Sequence, residues 1–375
     1  MKNPVQYLFK KEMLEIRRSS LLKLLIIAPI FQVIIFGYVA TTDIKNVKLL
    51  VCDEDRTAES RLLTDKLLNN DYFVLEEFTS EPKDIDRAFS QNRVIIAVRI
   101  PKGLGSAVKS AESVKAQVIV DGTDSNMSLI SMNRAIMIIN GFSRYVFADK
   151  MEAVRKKAGG LPAIEMEERV WYNPELRSAD TMVPGVIGFI VMLVTLVIAA
   201  VAIVREKENG NLEQMVVTPV RPYQIILGKT LPYALIGLLD IVLVTVSAML
   251  IFRIPFAGNF LVLIGLSLFF ILANLGIGIY VSTISSTQQQ AMLSSMFFAL
   301  PNILLSGFIF PIKNMPEILQ FFTYIIPMRY YMVIIRGVFL KGTGIAELFP
   351  QVLALLLMGI ILFTLAIRHF KKTAS

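Results

Sequence analysis

The sequence predicts an α-helical membrane protein: six transmembrane helices, with an α/β domain inserted between the first and the second. Three observations carry that prediction. The mean hydropathy is +0.60, and charged residues make up 18% of the chain, against about 25% in a soluble domain. Several apolar runs reach about 20 residues, the length needed to cross roughly 30 Å of hydrocarbon. Charge is also segregated. Residues 41–181 hold 20 Lys and Arg against 22 Asp and Glu, whereas the rest of the chain holds 18 against 8.

Residues 1–20 come first. Val5, Leu8, Phe9, Met13, Leu14 and Ile16 alternate with Lys10, Lys11, Glu12, Glu15, Arg17 and Arg18. That pattern predicts an amphipathic helix lying in the membrane interface. The first span is 21–40; it lacks the small-residue site of a cleaved signal and is read as an anchor. The remaining spans are predicted at 182–204, 229–252, 259–283, 290–310 and 348–367, within a transmembrane domain covering 182–375.

Lysine and arginine in the short flanks set the orientation. Lys2, Lys10, Lys11, Arg17 and Arg18 precede the first span. Arg205, Lys207, Arg221 and Lys229 follow the second, and Arg368, Lys371 and Lys372 follow the last. Six spans place these three groups on one side, so both termini are expected in the cytoplasm, with the chain in the cell inner membrane. Residues 41–181 are then extracytoplasmic. The stretch 318–340 is apolar but is interrupted by Pro327, Arg329 and Arg336. A centred arginine costs about 2.5–3.5 kcal/mol on insertion scales, so 311–345 is read as short re-entrant helices that do not cross.

The insert shows strand patterns at 47–52, 72–78, 94–100 and 116–120. Helical spacing appears at 58–68 and 82–90, and a long helix capped by Ser125 reaches 157. Alternating strands and helices imply an open sheet covered by helices. Asp53, Asp55, Asp121 and Asp124 stand at strand ends, where acids usually form turns. The insert has no histidine, phosphate-binding glycine loop or G-x-S-x-G elbow, so no catalytic residue is assigned. The single cysteine, Cys52, and the single histidine, His369, are too few for an internal disulfide or a zinc site. His369 is read as a tail residue. Nucleic-acid binding is excluded because no soluble basic patch is present to meet phosphates.

The loop after the second span, 205–219, is too charged for lipid. Glu206, Gly210 and Glu213 recur at helical spacing opposite Leu212, Met215 and Val216, and Pro219 ends the element. It reads as a short cytoplasmic helix on which a soluble partner could push.

These residues resemble the permease subunits of ABC-2 type exporters. The family pattern runs close to R-E-K-E-x-G-T-x-E-x-L-x-x-T-P, then a basic residue and G-K. Arg205, Glu206, Lys207, Glu208, Gly210, Glu213, Thr218, Pro219, Arg221, Gly228 and Lys229 match it, while Asn211 and Met215 replace Thr and Leu. A second match is Leu305-Ser306-Gly307-Phe308-Ile309-Phe310-Pro311, followed by Met315-Pro316, Ile326-Pro327, Arg336-Gly337 and Lys341-Gly342. The resemblance covers the whole chain and is nearest to bacterial inner-membrane drug-efflux permeases.

The resemblance implies a transport subunit that binds no cofactor and has no ATPase site of its own. ATP and Mg would sit on a separate ABC ATPase subunit. Arg205, Glu206, Glu208, Gly210, Leu212, Glu213, Thr218 and Pro219 would form the coupling helix that docks on that subunit. A second permease, identical or paralogous, would complete the path, and a periplasmic adaptor is a further candidate partner. Path residues would include Gly307 and Pro311, with Asp240 and Asn274 in the third and fourth spans. Asp240 has two readings, a contact for cationic or polar substrate or a neutral or hydrogen-bonded packing residue near Asn274. Gly265, Gly276 and Gly278 are expected to be close-packing sites. Two competing functions are a stand-alone secondary transporter or channel, which would show paired intramembrane ions or inverted repeats, and a membrane-anchored ligand sensor.

Overall fold

A computed structural model describes residues 4–18, 21–40, 45–110, 113–157, 171–173, 177–210 and 220–373. The chain divides into two compact units, Asp43–Glu168 on one hand and Met1–Thr42 with Arg169–Ser375 on the other.

The smaller unit is built on a four-stranded sheet of order β2-β1-β3-β4. The strands are β1 (Val47–Asp53), β2 (Phe73–Thr79), β3 (Ile96–Ile100) and β4 (Gln117–Val120). β1 pairs in parallel with β2 and β3, and β4 joins β3 antiparallel. A parallel strand covered on both faces reads as a continuous apolar run, and β1 is buried at every position except Lys48. Leu49, Val51, Ile96 and Val98 pack against Leu63 and Leu67 of one helix and Ala135 and Phe142 of another. Leu50, Cys52 and Ala97 pack on the opposite face against Ile85 and Ala88. The helices of this unit are Ala58–Leu68, Lys83–Ser90, Leu104–Ser110 and Ser125–Lys157.

Two details differ from the sequence expectation. Ser125 is the first helical residue, and the cap is Asp124, whose Oδ1 accepts the Met127 amide at 3.0 Å. The helix Leu104–Ser110 has no counterpart in the sequence reading. Gly105, Ser106 and Ala107 give it little hydrophobic periodicity, and its start is held from elsewhere. The Gly103 and Gly105 amides donate to the Asp55 carboxylate at 2.6 and 2.8 Å, and the Thr57 hydroxyl donates at 2.6 Å.

Burial alone would raise the Asp55 carboxyl pKa, but these hydrogen bonds together hold it below its ordinary value. The stabilisation is therefore present above the usual carboxylate pKa and is lost as pH falls through the lower folded-state value. Asp55→Ala is expected to cost about 1–3 kcal/mol of local stability. Hydrogen exchange of the full-length protein at neutral pH would show this as faster exchange at Gly103 and Gly105. Unchanged protection would sink the assignment.

The larger unit is helical. Its elements are α1 (Pro4–Arg18), α2 (Leu21–Ala40), α3 (Ser178–Ala202), α4 (Val204–Glu208), α5 (Pro222–Phe252), α6 (Phe260–Ile284) and α7 (Gln288–Leu305), followed by α8 (Glu317–Thr323), α9 (Pro327–Arg336) and α10 (Ile345–Thr373). Among the described residues four helical stretches are long and apolar enough to cross a membrane: Ser178–Glu208, Pro222–Phe252, Phe260–Ile284 and Ile345–Phe370. α8 and α9 are bent by 81°, and would make a fifth if counted as one span. The chain is thus a multi-pass helical membrane protein. The last helix begins before the predicted span and runs through His369, whose ring meets Tyr280 edge-on at 6.2 Å. His369 is therefore part of the packed helix rather than a tail.

Contacts sort the helix ends into two groups. At one end, Leu8 packs on Gly228, the Gln288 amide donates to Glu208, and His369 meets Tyr280. At the other, Tyr38 packs on Phe252 with ring centroids 5.1 Å apart and Phe308 packs on Gly185. Also there, Arg177 donates to the Phe252 carbonyl at 3.0 Å, and the Ala257 amide donates to the Phe339 carbonyl at 2.9 Å. Gly276 and Gly278 are close-packing sites, against Leu362 and against Ala199 and the Leu196 carbonyl, whereas Gly265 faces open space.

Candidate coupling site

The charged segment after α3 begins with a break. α3 stops at Ala202 and α4 starts at Val204. The Ile203 and Val204 amides both donate to the Ser282 hydroxyl oxygen, at 2.9 and 3.0 Å. A side chain inserted into the helical ladder is an ordinary cause of a kink. The Lys207 ammonium donates to the Ser285 carbonyl at 3.3 Å and ties α4 to the end of α6.

Glu206 faces inward and is 5% exposed. Its Oε1 lies 3.1 Å from Lys229 Nζ and 3.4 Å from Lys11 Nζ. Lys229, 3% exposed, also meets Glu12 Oε2 at 3.1 Å. The Tyr233 hydroxyl donates to the other Glu12 oxygen, and Lys11 reaches Glu15 at 3.5 Å. Three segments far apart in sequence thus share one buried ion network. Gly228 makes the approach possible, because a Cβ there would lie 2.6 Å from Leu8 Cβ. Oxygens of Glu12, Glu15 and Glu206 lie within 4.8 Å of one another, close enough to suggest a metal site. Lys229 and Lys11 lie among these oxygens and supply two positive charges to the three carboxylates.

The other expected coupling residues fall differently. Arg205 is exposed, and its side chain makes no hydrogen bond or ion pair among the described residues. Glu208 accepts the Gln288 amide at 2.8 Å, so it caps the first turn of α7, where a negative charge is favoured by the helix dipole. Gly210 lies in the turn that follows α4. Leu212, Glu213, Thr218 and Pro219 lie outside the described residues.

The expected path residues form two separate groups. Asp240 and Asn274 are both buried, at 2% and 0% exposure. Neither Asp240 carboxyl oxygen has a hydrogen-bond partner among the described residues. The Asn274 amide nitrogen donates to the Phe270 carbonyl at 3.0 Å, while its oxygen is unpartnered. Asp240 and Asn274 make no hydrogen bond to one another among the described residues. α5 and α6 are an antiparallel hairpin in which Gly237 sits against Ile271. Three residues further along α5, Asp240 lies toward Ser267 and away from Asn274. There Ser267 shares a 2.7 Å hydrogen bond with Tyr331, whose ring stacks on Phe270 at 4.0 Å.

Gly307 and Pro311 belong to the turn after α7, at the far end. Gly307 has φ +81°, a left-handed conformation that favours glycine. Its carbonyl accepts Arg336 Nη1 at 3.2 Å, and the Phe308 carbonyl accepts Nη2 at 3.5 Å. Pro311 caps the short 3-10 helix Ile312–Asn314. Arg329 bonds Thr323 and lies 3.7 Å over the Tyr324 ring, so it is held across the bend between α8 and α9. Of the two arginines that argued against a straight span, Arg329 thus fastens the bend and Arg336 ties α9 to the turn after α7.

Sequence reasoning missed Glu12, Tyr233 and Ser282. A signal for Glu12 existed: it stands four residues from both Leu8 and Ile16, on the face that packs inward. An acid on an apolar stripe needs a buried partner.

A family model described as "ABC-2 family transporter protein" matches residues 19–368. The chain belongs to the ABC-2 transporter family. Its relatives include the probable multidrug ABC transporter permease YbhR of Escherichia coli K12, 28% identical over 90% of each chain. The probable multidrug ABC transporter permease YbhS of the same strain is 27% identical over 91% of this chain and 89% of its own. The inner membrane transport permease YhhJ is 26% identical over 87% and 85%. In this ABC-2 chain the two sequence motifs are therefore spatially distinct. The R-E-K-E and G-K residues meet at one end of the helical unit, and the S-G-F and R-G residues meet at the other.

Proposed function

We propose that the chain is the permease subunit of an ATP-driven exporter, energised by a separate ABC ATPase that carries ATP and Mg. The observation that carries this reading is the Glu206–Lys229–Glu12 network. It makes the segment bearing exposed Arg205 mechanically continuous with α1 and α5, so a push on that segment is passed to α5, which would cross the membrane, and to α1 beside it. Binding energy can shift such an element only if the partner contacts it differently in two states, which an ATPase that opens and closes would do. The chain itself would transport without hydrolysing ATP.

The contacts at the helix ends support six crossings, by α2, α3, α5, α6, α7 and α10, with α8 and α9 entering and leaving at the same end. The coupling end and both termini would then face the cytoplasm, and residues 41–181 would lie outside, at the inner membrane. A second permease suits α7, where Leu293, Phe297, Leu300 and Leu304 form an exposed seam at spacings of four, three and four. A periplasmic adaptor could join the outer side. The names of the relatives favour drugs or other amphipathic compounds as cargo.

The test is affinity purification of the tagged chain from its native membrane. An ATPase subunit is expected to accompany it, and Arg205→Glu is expected to release that subunit and abolish export while the permease still assembles. Absence of any ATPase together with unchanged export in Arg205→Glu would return the chain to the stand-alone transporter or sensor readings.

A further inference from the structure

A second feature of α1 lies on its other flank. Between α1 and the membrane-facing sides of α5 and α6 is an apolar groove of about 980 Å³, at the upper end of the roughly 300–1,000 Å³ usual for small-molecule sites. Phe9, Met13 and Leu14 form one wall, and Leu235, Leu239 and Ile264 form the other. No acidic side chain lines it. Lys10 and Arg17 do. They stand seven residues apart, about two helical turns or roughly 10.5 Å. Both are exposed, and neither makes an ion pair among the described residues, because Lys11 is the lysine that takes Glu15 and Glu206.

We infer that this groove binds an anionic phospholipid of the leaflet next to α1. Its acyl chain would lie in the groove and its phosphate between Lys10 and Arg17. The charge is complementary, since basic side chains flanking an interfacial helix attract anionic headgroups. The apolar wall continues into an exposed stripe on α5, Leu227, Leu231, Leu235 and Leu239, which recurs every four residues along a helix long and apolar enough to cross a membrane and so would face hydrocarbon. A soluble ligand would have to cross that hydrocarbon to enter, whereas a lipid is already there. The site shares α1 with the Glu12 network, so a bound lipid would brace the helix from the side opposite Lys229.

The full-length chain, solubilised with an equimolar mixture of phosphatidylglycerol and phosphatidylcholine, can be examined by native mass spectrometry. Retained phosphatidylglycerol is expected to exceed phosphatidylcholine. Lys10→Gln with Arg17→Gln is expected to lower that ratio by on the order of tenfold, whereas Arg18→Gln, outside the groove, leaves it unchanged. Leu235→Trp, which fills the groove, should reduce retention of both lipids, and Lys10→Arg with Arg17→Lys should preserve the preference, showing that charge rather than folding is read. A wild-type ratio equal to the bulk mixture would overturn the site. So would an Arg18→Gln effect as large as the double variant's, or undiminished retention in Leu235→Trp.

Discussion

Lys229→Met is expected to destabilise the helical unit by about 3–5 kcal/mol, the cost of removing one partner from a buried ion pair. The change leaves Glu12 and Glu206 facing one another with no cation between them, since Lys11 reaches only Glu206 and Glu15. Thermal melting of the purified protein, followed by size-exclusion chromatography, would show a large fall in the midpoint. Adding Glu12→Gln and Glu206→Gln should restore most of the lost stability, because the charges are then removed together. It should not restore export, because the tie between α4, α1 and α5 is gone. A Lys229→Met protein that melts within about 0.5 kcal/mol of wild type, the range of ordinary surface substitutions, would mean that the network is not closed as described.

The second large effect has the opposite sign. Asp240 is buried with neither oxygen hydrogen-bonded among the described residues. A buried polar group without a partner costs about 1–3 kcal/mol by mutational measures. Asp240→Leu, close in size and apolar, is therefore expected to raise the melting midpoint by a corresponding amount. It is also expected to lower export, since an acid kept in a span at such a cost marks a functional position by default. A stabilised protein with full export would reduce Asp240 to a packing residue. A destabilised one would show that the carboxyl has a partner in the membrane.

Most of the helical unit was legible because hydrophobic length and basic flanks are local properties. The apolar runs of α3, α5, α6 and α10 announce themselves whatever they pack against, and helix boundaries there moved mainly because spans extend beyond their apolar centres. α5, for example, starts at Pro222 rather than 229. The strands β1 and β4 of the smaller unit were legible for the same reason, as short apolar runs ended by acidic turns. The helix Leu104–Ser110 was not, because its start is held by Asp55, 48 and 50 residues away. No periodicity within the seven residues of that helix records this.

The site shows the same division. Arg205, Glu206, Gly228 and Lys229 were marked by their motif, which states that they matter and not what they touch. From spacing alone Glu206 belongs to the polar face of a cytoplasmic helix. In the fold it turns inward, because Ser282 breaks the helix at Ile203 and Lys229 waits on α5. Likewise Asp240 and Asn274 look like partners in two neighbouring spans, and the antiparallel register of the hairpin separates them.

By itself, then, the sequence determined a membrane protein with a mixed α/β insert, charged segments flanking its apolar runs, and an apolar stretch interrupted by Pro327, Arg329 and Arg336. Burial length, charge and strand alternation are written residue by residue. Only the tertiary structure decided that Glu12, Glu206 and Lys229 form one network, that Arg205 is left facing outward, and that α1 closes a groove against α5 and α6. Lys229 stands 23 positions from Glu206 and 217 from Glu12, and helix packing, not local pattern, chooses the faces that meet over such separations.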